Sequence, residues 1–441
     1  MLKPPVFTAE EIDRFRREIA AQRAPGAYEP GRWSVSPLNR RPDVVGAMPE
    51  SVRLRDATLR SMETLPGVVA TDEQKLGYLK ALVVAGVGEI VTAGLMRRTD
   101  DQLRQEIAAI KEANAECVAV CPLVGTEAAV DRAAAAGFDS VQVWIQGFGA
   151  AAQIYSRIYD QAWAGEDWRT DTTPRDRAEV VAAAAKLVRA ARDRGLTVAT
   201  PLLMVSYLTE DMLADSVAAL VEADVSEITL FDGPGAMSPE GFGYLVEQTR
   251  KLAPGVRVGL HPHNTFGMAV GCAVAAARAG AEVIELSVNG YCGGPGNADL
   301  AATAMAFEAV YGVSTGIDTG KLTELARVAE RLTGYHRAYN HPMTGDKAFA
   351  WGGMDIITQE SAVDPLLHNC VDPELVGNQR VAPFTPDSGP YTLADKLLAL
   401  GLTPTHEQVT NILAAARAVM AAESRVLDEQ DLRHLAHREL S

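Results

Sequence analysis

One alternation constrains this chain more than any other feature. Between residues 52 and 311 a short β-branched run is followed, eight times over, by a longer Ala- and Leu-rich stretch of helical spacing. The runs that read as strands lie near 52–60, 87–94, 117–121, 139–145, 197–204, 226–231, 256–263 and 282–288. Helical patterns follow near 71–85, 99–115, 125–136, 174–194, 208–223, 238–252, 265–279 and 298–311. Parallel strands need a long return connection, usually a helix, so this order predicts an α/β chain with a parallel sheet. Eight units predict a sheet closed on itself, a (β/α)8 TIM barrel. The competing architecture is an open doubly wound sheet. No Gly-x-Gly-x-x-Gly follows the first strand, which weakens the dinucleotide-binding form of that alternative.

The rhythm is framed and once interrupted. Residues 8–24 read as an exposed amphipathic helix, and the Pro-, Gly- and Arg-rich stretch 25–50 as an extended arm. An aromatic-rich insertion, 146–173, follows the fourth strand; it fits either a lid over the barrel mouth or a surface excursion packed on its own Trp and Tyr side chains. Strand patterns stop after 313, where helical patterns at 319–334 and 405–422 flank a Pro/Gly-rich connection at 382–390. The expected division is 1–50 (helix and arm), 51–313 (barrel) and 314–441 (helical C-terminal subdomains).

With 41 Lys and Arg against 57 Asp and Glu, the formal net charge is −16. So acidic a chain is a poor non-specific binder of nucleic acid or anionic membrane. Five sparse cysteines suit reduced thiols and a cytoplasmic protein rather than a disulfide framework. The N-terminus carries charges every few residues, unlike a signal peptide, and nowhere is there an unbroken apolar stretch of about 18 residues. The expected partner is a small molecule.

Four segments carry side chains suited to chemistry. In VRVGLHPHNTFGMAVG, alternation sets Val256, Val258 and Leu260 on one face and His261 and His263 on the other, at the carboxyl end of the seventh strand. Imidazoles two residues apart on a strand can share one ion; hydrogen-bonded histidines at a polar strand end are the plainer alternative. In VRLRDATLRSMETLPG the first strand runs into Arg60, Ser61 and Glu63. An arginine aimed into a barrel mouth steadies a developing oxyanion, though a lone arginine is more often a surface ion pair. GYCGGPGNADL supplies a flexible loop with Cys292, a reactive thiol or a bystander, and Asn297, placed to cap the next helix. In TLFDGPGAMSPEGF, Asp232 fits a turn or an acid that orients a histidine. Cys117 and Cys121 have the wrong spacing for a zinc knuckle and read as core.

Taken in order, DATLRSMETLPG, AGVGEIVTAG, FDGPGAMSPE, HPHNTFGMAVGCAVAAARAGAEVIELSVNG and GPGN resemble the DRE-TIM metallolyase superfamily. That group contains isopropylmalate, homocitrate and citramalate synthases, hydroxymethylglutaryl-CoA lyase and 4-hydroxy-2-oxoacid aldolases. NHPMTGDKAFAW, VDPELVGNQRVAPFTPDSGPYTLADKLLALGL and VLDEQDLRHL resemble the helical subdomains that follow the barrel in the synthases. The resemblance implies a Claisen-type condensation of an acyl-CoA with a 2-oxo acid. The alternatives are an aldol or retro-aldol lyase, a divergent metal-independent member acting on another substrate, and a non-catalytic homologue.

By the same resemblance a divalent ion (Mg, Mn or Zn) is held by His261 and His263, with Asn297 and Ser61 as further candidate ligands. Arg60, Glu63 and Cys292 are the candidate catalytic residues, and Thr92, Ser206, Asp232 and Trp351 the candidate substrate contacts. The expected substrate is a small carboxylic acid, the co-substrate an acyl-CoA, and the assembly a homodimer. The chain departs from the family pattern at several places. Ser61 stands where the family has a metal-binding Asp. Thr92 stands at a second-strand Glu, Met204 and Ser206 lie around a fifth-strand Glu, and Trp351 stands at a tail His. Fewer anionic ligands predict weaker binding of a divalent ion.

Overall fold

The computed structural model describes residues 7–23, 26–95, 98–143, 154, 176–352 and 354–440. The chain forms two compact units, one spanning 41–337 and the other combining the N-terminal residues up to 40 with those from 338 onward.

The larger unit is a closed barrel of eight parallel strands. They are β1 (Arg53–Asp56), β2 (Glu89–Val91), β3 (Val118–Val124), β4 (Ser140–Val143), β5 (Thr197–Leu203), β6 (Glu227–Asp232), β7 (Arg257–Pro262) and β8 (Val283–Leu286). Eight helices follow them: α1 (Asp72–Val84), α2 (Asp100–Ala113), α3 (Glu127–Ala136), α4 (Arg177–Arg192), α5 (Glu210–Glu222), α6 (Pro239–Leu252), α7 (Ala269–Arg278) and α8 (Leu300–Met305). The closing pair is β8 with β1, in register Val283 to Arg53 through Leu286 to Asp56.

Side-chain caps explain where the helices begin. Thr71, Thr99 and Asp176 each accept the backbone N–H three residues on, and Gln74, Gln102 and Glu179 reach back to complete the box. Two helices differ from the sequence expectation. α7 starts at 269 rather than 265, because Asn264 Oδ1 accepts the Ala269 N–H at 3.1 Å and the chain before it turns. α8 is capped by Asp299, which accepts the Ala302 N–H at 2.8 Å, and not by Asn297. α8 then widens into a π-turn over Ala306–Tyr311. A further helix, Leu322–Thr333, packs on α1, with Gln74 Nε2 donating to the Arg331 carbonyl at 2.9 Å.

The first strand is shorter than the 52–60 run suggests. Asp56 accepts both the N–H (3.0 Å) and the hydroxyl (2.7 Å) of Thr58, which folds the chain out of the strand into the short helix Thr58–Ser61. Arg60 is thus presented from a helical turn at the barrel mouth rather than from the strand itself.

The second unit holds the helix Ala9–Gln22, which buries none of its residues, as expected of an exposed helix. The stretch read as an extended arm is more structured. It contains a small hairpin, Tyr28–Glu29 with Trp33–Ser34, then a 3-10 turn at Pro37–Arg40. The helices Pro390–Ala399, His406–Glu423 and Glu429–Leu440 enclose a core that includes Leu393, Leu397, Ile412, Leu432 and Phe384. Apart from Ile154, the insertion 146–173 lies outside the described residues. No helix of the described residues is long and apolar enough to cross a membrane.

Candidate active site at the barrel mouth

Period-two alternation turns Arg257, Gly259 and His261 of β7 toward the barrel axis, with His263 just beyond the strand end. His261 is buried, stacked on Phe231 at 4.3 Å between ring centroids and 6° between planes. Its Nδ1 lies 3.0 Å from Glu285 Oε1 of β8. That contact leaves Nε2 as the nitrogen His261 can offer to anything else. His263 sits 5.2 Å from His261 between ring centroids and pairs through its backbone with Asn297.

Cys292 completes the group. Its Sγ is 3.7 Å from His263 Nε2, and the donor atoms of His261, His263 and Cys292 all lie within 4.8 Å of one another. Burial alone would raise the Cys292 thiol, but hydrogen bonds from His261 and His263 bring it down to about 5. Burial would likewise lower His261, yet contact with Cys292 and Glu285 lifts it to about 9.

Backbone geometry places the sulfur. Asn297 N–H donates to the Gly290 carbonyl at 3.2 Å, closing the loop on itself. A Cβ at Gly296, whose φ is +84°, would fall 2.0 Å from the Gly290 oxygen, so this close approach admits only glycine. Gly293 N–H donates to Thr64 Oγ1 at 2.8 Å, and that hydroxyl gives its own proton to the Ser61 carbonyl at 2.6 Å. The loop that carries Arg60 is therefore tied to the loop that carries Cys292. On its other side Glu63 accepts the Gly94 N–H at 3.0 Å and faces Arg60 Nη1 at 3.8 Å.

The remaining candidates separate. Ser61 is buried beside this junction. Asn297 is 1% exposed; its Oδ1 accepts from Ser287 Oγ, and its Nδ2 finds no acceptor among the described residues. Turning that amide over would let Nδ2 donate to Ser287 and leave an oxygen free next to His263. Thr92 follows β2 and donates to the Ala93 carbonyl at 3.3 Å. Ser206 lies in a 3-10 turn after β5, its hydroxyl buried and without a hydrogen-bond partner among the described residues. Asp232 takes the turn role: its carboxylate accepts the Met237 N–H at 3.0 Å, and its backbone carbonyl accepts the His263 N–H at 3.3 Å. Trp351 belongs to the other unit, where it donates to Asn369 at 2.7 Å and packs edge-on against His368. Cys117 and Cys121 are core residues, as their spacing suggests.

Sequence reasoning overlooked a second group of ionisable side chains inside the same barrel. Arg55 is 1% exposed and reaches Glu89 of β2 (2.7 Å), Glu227 of β6 (2.7 and 2.8 Å) and Glu285 of β8 (3.4 Å). Arg53 and Arg257 each meet Glu89 as well, at 2.9 and 3.0 Å, and Gln142 donates to Glu285 at 2.8 Å. Burial would raise Glu227, but Arg55 outweighs it and holds the carboxyl near 2. Arg53-x-Arg55 on one face of the first strand was the available signal, since a charge aimed into a barrel must meet its opposite there.

Backbone strain also gathers at the mouth. Leu123, Met204 and Asn289 have φ of +52°, +57° and +58°, near or just past the carboxyl ends of β3, β5 and β8. Bulky residues seldom adopt such values, and they concentrate where a fold shapes a site.

A closed (β/α)8 barrel with two histidines, a cysteine and an arginine-bearing loop at the carboxyl ends of its strands defines a barrel enzyme site. Comparison with known proteins agrees. Residues 51–329 match the HMGL-like family, and the chain belongs to that family. It is 32% identical over 394 residues to a Methanopyrus kandleri protein that carries an (R)-citramalate synthase name, covering 88% of this chain and 72% of that one. To a 2-isopropylmalate synthase of Sulfolobus acidocaldarius it is 26% identical over 377 residues, covering 86% and 93%. Among solved structures, the hydroxymethylglutaryl-CoA lyase of Brucella melitensis superposes with a TM-score of 0.54 at 19% identity, covering 65% of this chain and all of that one. That likeness speaks for the fold.

The donor set suits a transition ion. Two imidazoles and a thiolate favour zinc-like ions, whereas Mg2+ prefers oxygen ligands in an octahedron.

Proposed function

We propose that the chain is a carbon–carbon bond-forming acyltransferase that condenses acetyl-CoA with a small 2-oxo acid, in the manner of citramalate and isopropylmalate synthases. The observation that carries this reading is the meeting of His261, His263 and Cys292 with the Arg60 loop at the mouth, in a chain so similar to named synthases over most of its length. In the overall reaction the methyl carbon of acetyl-CoA loses a proton and attacks the ketone carbon of the acid. The ketone oxygen becomes a hydroxyl, and water cleaves the thioester to release coenzyme A.

A divalent ion held by His261 and His263 would supply Lewis acidity toward the 2-oxo acid. Glu285 fixes the tautomer of His261 by taking its Nδ1. Arg60, aligned by Glu63, presents a guanidinium to the oxygen on which charge develops. Ser206, in the turn after β5, would offer the acid an uncharged hydroxyl that has no hydrogen-bond partner among the described residues. The reading retains the cytoplasmic homodimer that the sequence suggests.

The test is release of coenzyme A, followed with a thiol reagent, when purified protein, a divalent ion and acetyl-CoA meet a panel of 2-oxo acids. Release that depends on one of the acids supports the reading. Cleavage of a 3-hydroxyacyl-CoA or a 4-hydroxy-2-oxo acid without any condensation would move the chain to the lyases.

A further inference from the structure

We propose that Cys292 is a metal ligand: its Sγ joins His261 and His263 as the third protein donor of a site built for a zinc-like ion rather than for Mg2+. The inference deepens the proposed function, because it rests on an ion residing at the same mouth.

The distances argue for coordination. In a tetrahedral zinc site with Zn–S near 2.3 Å and Zn–N near 2.05 Å, sulfur and nitrogen are separated by about 3.6 Å. The Cys292 Sγ to His263 Nε2 separation is 3.7 Å, close to that tetrahedral edge. All three donor atoms lie within 4.8 Å of one another, so a single ion reaches them with small side-chain rotations.

Besides the two histidines, the sulfur has one further polar neighbour among the described residues, and the contact is long. The Thr64 hydroxyl spends its one proton on the Ser61 carbonyl at 2.6 Å and stands 3.9 Å from Sγ. His261 is prepared in the way of a metal-bound imidazole, one nitrogen on the Glu285 carboxylate and the other on the Cys292 side of the ring. The loop is rigid where it must be, since Gly296 and Gly290 lock it and Asn289 Nδ2 anchors it to the Ala326 carbonyl at 2.9 Å.

The donor set then sets the chemistry. Three protein ligands leave at least one position open, the arrangement of a catalytic rather than a structural zinc site. A thiolate selects zinc-like ions over Mg2+, and its negative charge replaces the one missing where Ser61 stands. On binding, the metal–sulfur bond forms and any proton on the thiol passes to solvent.

Cobalt(II) tests the assignment directly because it reports its own ligands. The full-length protein is stripped with a chelator and titrated with Co2+ alone. One equivalent is expected to give intense visible bands of a four-coordinate site and a near-ultraviolet thiolate-to-cobalt charge-transfer band, neither removed by a large excess of Mg2+. Cys292→Ser is expected to lose the charge-transfer band and to bind at least about tenfold more weakly. Wild-type protein that binds Co2+ at His263 without that band overturns the sulfur ligand, and needs no variant to do so. That result leaves the condensation reading standing, since coenzyme A release is measured separately. Failure of both Co2+ and Zn2+ to bind, with condensation intact, overturns the metal site altogether.

Discussion

Two groups of ionisable side chains share the interior of this barrel, and they are put together on opposite principles. In the lower group Arg53, Arg55 and Arg257 face Glu89, Glu227 and Glu285, three cations against three anions. Each carboxylate there has a charged partner, and Arg55 is as deeply buried as any leucine of the core. At the mouth, two imidazoles and a thiol crowd together within 4.8 Å, all donors to an electrophile and none a conventional ion pair for another. Glu285 belongs to both groups, binding Arg55 and Gln142 through one oxygen and His261 through the other. The difference teaches where charge is structural and where it is held for a ligand. The lower group pairs its charges within the barrel, and the upper group is left to be completed from outside.

Breaking the lower group is expected to have the largest effect. Arg55→Met removes the buried cation that three carboxylates share and should lower unfolding free energy by about 3–5 kcal/mol, read from chemical denaturation. Arg60→Ala should leave stability within about 1 kcal/mol but reduce kcat/KM about 10²- to 10³-fold, read from coenzyme A release. The third prediction concerns pH. Glu227 titrates near 2 when folded against an ordinary 4.5, so its contribution is complete above about 4.5 and is lost as pH falls from there toward 2. The loss is on the order of 3 kcal/mol, and Glu227→Gln should flatten the stability profile in that window. Glu285→Gln, which touches both groups, should weaken ion binding about 10- to 100-fold by releasing His261, as measured by Co2+ titration.

Much of the architecture was legible because strand and helix periods differ. Eight alternations predicted eight units, and the capping pairs Thr71/Gln74 and Thr99/Gln102 stand openly in the sequence. The bounds of β1 were not legible, because Asp56 ends the strand through its own side chain while the β-branched pattern runs on. His261 and His263 could be found by alternation alone. Cys292 could not be linked to them, since 29 residues of chain separate Cys292 from His263 and only loop closure brings them together. The internal charge group escaped for a related reason. Arg55, Glu89, Glu227 and Glu285 sit on four different strands, and no local window contains two of them. Asn297 misled because an Asn just before a helix usually caps it, and Asp299 two residues later does so instead.

The contrast between a structural floor and a reactive mouth is tested most directly by one pair of readings on His263→Ala: unfolding free energy and coenzyme A release from acetyl-CoA with a 2-oxo acid. The account predicts that stability stays within about 1 kcal/mol of the unaltered protein while turnover falls at least about 100-fold. A variant that keeps its turnover, or that loses stability on the scale expected for Arg55→Met, would contradict it.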